Sequence, residues 1–175
     1  MATDLSFRRF RELDGDAELR AFREGMERAG YSAFFAFVSD FREAIKRYTD
    51  EEAAAMAALI ERARALFPVP GRFSPAWENV WTELERIYAA KNEALAAIPP
   101  AARDGEWQVL IDNPYVSQPV VCYPGLSFLD AVYLFGYFRQ DLAPNERLRL
   151  QRVTDVWDTT GSLTLAPAQA KPPGL

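Results

Sequence analysis

Two pairs of acidic residues have a spacing that could bind a metal ion. Glu24 and Glu27, and further along Asp40 and Glu43, are each three residues apart in segments whose apolar residues recur at helical spacing. Residues three apart share a helix face, and carboxylate oxygens are the ligands that a hard cation such as Mg²⁺ prefers. A carboxylate site for a magnesium ion is therefore one possibility.

The two pairs resemble the paired-acid helices of all-α nucleotide pyrophosphohydrolases, and this resemblance implies one alternative function, that of a carboxylate-metal hydrolase that acts on nucleotides with magnesium. The second pair departs from the pattern because its acids stand in reversed order. A chain with 25 acidic residues among 175 is expected to contain roughly three or four such pairs by chance. Nearby arginines also allow ordinary surface ion pairing along each helix, namely Arg23, Arg28, Arg42 and Arg47. The leading interpretation therefore assigns no metal and no cofactor.

The absence of histidine excludes several kinds of catalysis. Without an imidazole, the chain cannot use a histidine for proton transfer near neutral pH, for activating a serine or cysteine nucleophile, or for binding zinc. Cys122 is the only cysteine, and its apolar neighbours favour a role as a small packed side chain. We assign no catalytic residue, and the sequence favours a function without catalysis.

The most distinctive part of the chain is an uncharged stretch, NPYVSQPVVCYPGLSFL, at residues 113–129. It contains three prolines and two tyrosines, so it can either cover a helical core or present aromatic contact area to a partner. The leading hypothesis is a protein-interaction domain, either a homo-oligomer or a small adaptor. The predicted contact residues are Trp107, Tyr115, Val120 and Tyr123.

Aromatic residues that crowd two predicted helices support another alternative, a small-molecule or lipid-binding helical domain. Tight packing by the same side chains is the more common outcome. The pocket of this alternative would be lined by Trp77, Trp81, Tyr88, Tyr133 and Tyr137.

Composition limits the partners and the compartment. The chain is 49% hydrophobic and 26% charged with a net charge of -5, so it can fold alone and lacks the positive field that attracts nucleic acid or anionic membranes. No apolar run is long enough for a membrane span, and the first residues do not resemble a signal sequence. A single cysteine suits a reducing compartment. We expect a cytoplasmic protein that binds another protein or itself, and the abundance of arginine and alanine indicates a bacterial source.

Apolar residues at spacings of three and four predict a mainly α fold with about seven helices in one compact domain, residues 1–165. Residues 1–98 form its helical part, and a linker follows at residues 99–105. Capping signals mark the boundaries of three helices; they lie at Gly30, at Thr49 with Glu52, and at Ser74 with Pro75.

An alternation of apolar and polar residues from Trp107 to Asp112 has the period of a strand. Together with a second extended piece at residues 120–123, it predicts an extended or β-hairpin insertion near residues 106–123, within an extended segment at 106–125. Prolines in this region place its strands at edges, because proline cannot donate to a strand ladder.

Two further helices are predicted after this insertion. Ser127 and Asp130 form a capping box before a helix that is apolar all round and is therefore expected to be central. Pro144 and Asn145 begin the last helix, so residues 127–158 form a helical pair. Residues 166–175 are predicted to be a disordered tail.

Overall fold

The computed structural model describes residues 4–67, 80–112, 115, 120–157 and 163–165, with the backbone alone for residues 155–157 and 163–165. The mainly helical fold with a small antiparallel sheet is confirmed. The chain divides into two compact units, Met1–Ala97 and Ile98–Leu175, where the sequence predicts one compact domain. The division falls where the predicted helical part ends. Among the described residues, no helix combines the length and the apolar character needed to cross a membrane.

The described part of the first unit contains five α-helices, and capping residues set several of their ends. Gly30 ends one helix and begins the next with a φ of 82°, a conformation that glycine adopts without strain. The predicted capping box of Thr49 and Glu52 is confirmed, and a short 3₁₀ turn lies between it and the next helix. The predicted start at Ser74-Pro75 lies outside the described residues. The helices are α1 (Phe7–Glu12), α2 (Asp16–Ala29), α3 (Tyr31–Arg47), α4 (Ala53–Leu66) and α5 (Val80–Ala97).

Aromatic side chains fill the core of the first unit. Phe37 lies within 6.5 Å, ring centre to ring centre, of six other phenylalanine rings. Trp81 stacks on Phe67 at 6.3 Å and donates its indole N–H to the Phe67 carbonyl oxygen at 2.6 Å. Such contacts combine a large buried apolar area with favourable ring geometry, so these helices are held chiefly by their aromatic stripes.

Two basic side chains donate hydrogen bonds to backbone carbonyls at the C-terminal ends of α1 and α3. The guanidinium of Arg62 donates to the carbonyl oxygens of Phe10 and Leu13 at 2.6 and 2.7 Å. The ammonium of Lys91 donates to three carbonyl oxygens at the end of α3, those of Ile45, Lys46 and Tyr48, at 2.7 to 3.0 Å. The last carbonyls of a helix have no partner within it, and a cation also suits the negative end of the helix dipole.

The second unit is a three-stranded antiparallel sheet with one helix. Its elements are β1 (Trp107–Asp112), β2 (Val120–Leu126), α6 (Phe128–Phe138) and β3 (Arg147–Arg152), and the strand order is β2-β1-β3. The predicted pairing of two strands in this region is confirmed. A separate antiparallel pair contains β4 (Asp155–Trp157) and β5 (Leu163–Leu165).

Helix α6 begins at the predicted cap but is not buried all round. The backbone N–H of Asp130 donates to the Ser127 hydroxyl at 3.2 Å, and that hydroxyl donates to the Asp130 carboxylate at 2.6 Å. One face is buried, with Phe128 5.1 Å from the Trp107 ring of β1. The other apolar side chains are partly exposed, so the prediction of a central helix is wrong; they are Tyr133, Leu134, Phe135, Tyr137 and Phe138.

The predicted last helix is wrong, because the chain forms a strand at Arg147–Arg152 and another at Asp155–Trp157. Pro144 and Asn145 are the central residues of a turn, which the Glu146 N–H closes by donating to the Ala143 carbonyl at 2.9 Å. The strand sequence RLRLQR places apolar residues two apart, which is the period of a strand and not of a helix. Residues 127–158 are therefore not a helical pair, and the predicted tail lies outside the described residues.

Candidate interaction surface

β2 lies at the edge of the three-stranded sheet and exposes apolar side chains. Within the described residues β2 pairs only with β1, so one row of its backbone N–H and C=O groups points away from the sheet. Three of its side chains are large, apolar and well exposed: Val120 at 48%, Val121 at 44% and Tyr123 at 38%. An edge with this composition is available to another strand.

Irregular pairing limits the length of this edge. Val121 pairs with Leu110 and Tyr123 with Val109, so Cys122 is an extra residue on β2. Because Val109 and Leu110 are consecutive on β1, their partners Val121 and Tyr123 point to opposite faces of the sheet. Pro124 follows, and proline has no N–H to donate. The part of β2 before Pro124 is Val120–Tyr123, called here the edge segment, and the extra residue Cys122 lies within it.

The two edges of the sheet differ in charge. β2 has no charged residue, whereas β3 at the opposite edge has three arginines, Arg147, Arg149 and Arg152. Arg149 binds the Asp112 carboxylate of β1 with two nitrogen–oxygen distances of 2.7 and 2.8 Å. Charged side chains on an edge strand oppose pairing with other strands, so charge protects β3 and does not protect β2.

A row of aromatic rings continues from β2 onto α6. Tyr123 stacks on Phe138 at 5.3 Å, Phe138 meets Tyr137 edge-on at 5.1 Å, and Tyr137 lies 6.4 Å from Tyr133. All four rings are partly or well exposed. We call these four residues the aromatic row. Tyrosine and phenylalanine supply large contact areas with few rotatable bonds, which is typical of interface residues.

The structure separates the predicted contact residues into surface and core. Tyr115 is 87% exposed, and Val120 and Tyr123 belong to the edge segment. Trp107 is only 5% exposed and donates its indole N–H to the Arg103 carbonyl at 2.9 Å, so its assignment to the contact surface is wrong. Val121 was not predicted, because its exposure depends on the position of β2 at the edge of the sheet.

The residues of the predicted aromatic pocket are divided between the two units. Trp81 is 3% exposed within the phenylalanine core, and Tyr88 donates its hydroxyl to the Ala53 carbonyl at 3.0 Å. These two residues belong to the first unit, whereas Tyr133 and Tyr137 belong to the aromatic row of the second. Trp77 lies outside the described residues. Trp81 and Tyr88 are therefore packing residues of the first unit.

The predicted acidic pairs do not form a metal site. Among the described residues, no three acidic or cysteine side chains come together in a way that could hold a metal ion. Glu27 accepts a hydrogen bond from Arg23 at 3.1 Å, and Glu43 pairs with Arg47 one turn away. Glu24 and Asp40 are exposed on the surface. The carboxylate-metal alternative has no support in this geometry, since two of its four carboxylates are bound in ion pairs along their own helices.

The polar cluster around Lys91 is a structural cluster. Burial raises the pKa of Tyr48, whose hydroxyl donates to the Asn92 side-chain oxygen at 2.7 Å. The Lys91 ammonium lies 3.6 Å from the centre of the Tyr48 ring and is 1% exposed. The three N–H groups of the ammonium are used by the three carbonyl oxygens. The cluster therefore fixes the end of α3.

Comparison of the chain with protein-family models, with curated proteins and with solved structures finds no match.

Proposed function

We propose that this chain is a non-enzymatic protein-interaction domain that binds an extended protein segment along the edge segment Val120–Tyr123. The observation that carries the proposal is the contrast between the two sheet edges: β2 is uncharged and exposes three large apolar side chains, whereas β3 has three arginines. We place the protein in the cytoplasm, since its single cysteine suits a reducing compartment.

The physical basis is strand addition at an uncharged edge. An extended partner can satisfy the outward N–H and C=O groups of β2, and main-chain hydrogen bonds of this kind supply affinity while side-chain contacts supply specificity. Tyr123 joins the edge segment to the aromatic row, so a bound strand would also contact Phe138 on α6. Tyr115, at 87% exposed, offers a further ring close in sequence to β2.

The proposal is tested with Tyr115→Asp and Tyr123→Asp in the full chain. Native mass spectrometry of protein purified from its own source would detect any bound chain, and hydrogen exchange would locate it. We expect both variants to weaken association, and we expect the amides of Val120–Tyr123 to be protected in the wild-type complex. The matched control is Gln151→Asp on the exposed side of β3, which should leave association unchanged. Unchanged association in both tyrosine variants, with the fold retained by circular dichroism, would contradict the proposal.

A further inference from the structure

We propose that the partner is a second copy of this chain, and that the edge segments of two copies pair antiparallel about a twofold axis. This inference rests on the proposed function, because it uses the same edge of β2. The two copies would join two three-stranded sheets into one six-stranded sheet with the order β3-β1-β2-β2-β1-β3, as the strand order of each copy requires.

The charge pattern favours a second copy. In a twofold dimer each residue near the axis faces itself or its neighbour in the other copy, so any charge there meets a like charge. Like charges opposite each other destabilise strand pairing. The edge segment has no charged residue, and residues 120–129 have none either. Pairing β3 with itself would bring the arginines of the two copies together, of which Arg149 alone is described as paired with Asp112. Of the two edges of this sheet, only β2 is compatible with pairing to itself.

The short length of the edge segment also favours a symmetric partner. Val120–Tyr123 is four residues long, and Pro124 ends the run that can donate hydrogen bonds. A second copy would bring its own aromatic row beside the paired strands, which a short peptide would not. The aromatic row adjoins the segment through Tyr123, so two rows lie beside the paired strands. The resulting contact is apolar at its centre, as in homodimer interfaces.

Cross-linking at Cys122 tests whether the twofold axis passes through the edge segment. Cys122 is the only cysteine of the chain, is partly exposed and lies within the edge segment. If the axis passes close to Val121 or Cys122, each Cys122 lies opposite or nearly opposite its counterpart, with β-carbons about 5 to 8 Å apart. A bismaleimide with a short spacer would then link two copies into a covalent dimer, and we expect this product from the wild-type chain.

The experiment measures the mass of the full chain in solution with substitutions at position 121. Light scattering after size exclusion, at roughly 1 to 500 µM where small contacts associate, should give twice 19.8 kDa for the wild type at high concentration. Val121→Lys and Val121→Glu should each weaken the dimer by about tenfold or more, because each places like charges near the axis. The control Gln151→Lys adds the same charge at the exposed β3 edge and should leave the dimer intact.

Mixing the two charged variants distinguishes a second copy from any other partner. An equal mixture of Val121→Lys and Val121→Glu should recover the dimer and the Cys122 cross-link, since opposite charges then face each other. A wild-type chain that stays at 19.8 kDa at every concentration would overturn this inference. Dimers that are unaffected by either charge would overturn it as well. The proposed function survives such results if another protein binds and protects Val120–Tyr123, and it fails only if that segment binds nothing.

Discussion

Lys91 shows how one residue can hold a charge inside an apolar core. Among the described residues it is the one charged side chain that is buried, at 1% exposed. Removing an ammonium from water is expensive unless its donors are satisfied, and here three carbonyl oxygens and the Tyr48 ring surround it. The sequence does not predict this role, because Lys91 is followed by the polar residues Asn92 and Glu93. The carbonyls that it binds also belong to residues more than 40 positions earlier in the chain.

Replacement of Lys91 by methionine should strongly destabilise the first unit. Lys91→Met keeps the length of the side chain but leaves the last carbonyls of α3 without their donor, so we expect the free energy of unfolding to fall by about 3 kcal/mol. Urea unfolding followed by circular dichroism measures the change. Lys46→Met, at a partly exposed lysine on α3, is the control and should change stability by less than about 0.5 kcal/mol. Equal stability of both variants would refute a structural role for Lys91.

At the scale of elements, the capping box that precedes α4 links stability to pH. The backbone N–H of Thr49 donates to the Glu52 carboxylate at 2.9 Å, and this hydrogen bond holds the pKa of Glu52 below its ordinary value. A lowered pKa in the folded state means that the carboxylate contributes stability above its unfolded pKa and loses it as the pH falls through the folded value.

Glu52→Gln should therefore be less stable than the wild type at pH 7, and the difference should shrink at pH 3. Urea midpoints of both proteins at the two pH values test this. Glu51→Gln is the matched control, since Glu51 is an exposed neighbour outside the capping box, and its difference from the wild type should not narrow in the same way. If the difference in urea midpoint between Glu52→Gln and the wild type is the same at pH 7 and pH 3, the Glu52 carboxylate does not link stability to pH.

Local signals predicted the helices of the first unit because their spacing and caps are properties of short segments. The same signals failed at Pro144-Asn145, since the first turn of a helix and the centre of a common β-turn use nearly the same backbone angles. The Glu146 carboxylate also accepts the Ala143 N–H at 3.0 Å, as the acid of a capping box would. Only the pairing of β3 with β1, which joins distant residues, distinguishes the two structures.

The candidate surface could be predicted only in part for the same reason. The absence of charge in residues 113–129 is a property of the sequence, and it predicts Tyr115, Val120 and Tyr123 as contact residues. Which strand lies at the edge depends on the order β2-β1-β3, and this order places Trp107 in the core and Val121 at the surface. Exposure is thus a property of the assembled sheet and not of the segment.

At the scale of the whole molecule, the helical unit should be able to fold without the strands. Residues 1–97 include an aromatic core and five helices. A chain of this length lies within the usual size range of independent domains. A fragment of residues 1–97 should therefore show helical circular dichroism and a cooperative thermal transition. The fragment with Phe37→Ala, which removes the central ring of the core, should lose about 3 to 5 kcal/mol and melt at a lower temperature. A fragment of residues 1–97 without a cooperative transition would show that the first unit needs the second.

The positions of the two basic caps also affect how the first unit folds during synthesis. Arg62 binds carbonyls at the end of α1 that precede it by 49 and 52 residues, and Lys91 binds carbonyls at the end of α3 that precede it by 43 to 46. The ribosome therefore releases both helices before the side chains that complete them exist. Until α5 emerges, the last carbonyls of α3 lack the donor that Lys91 supplies, and short helices are marginal without packing. The end of α1 thus gains its donor with α4, and the end of α3 gains its donor only with α5.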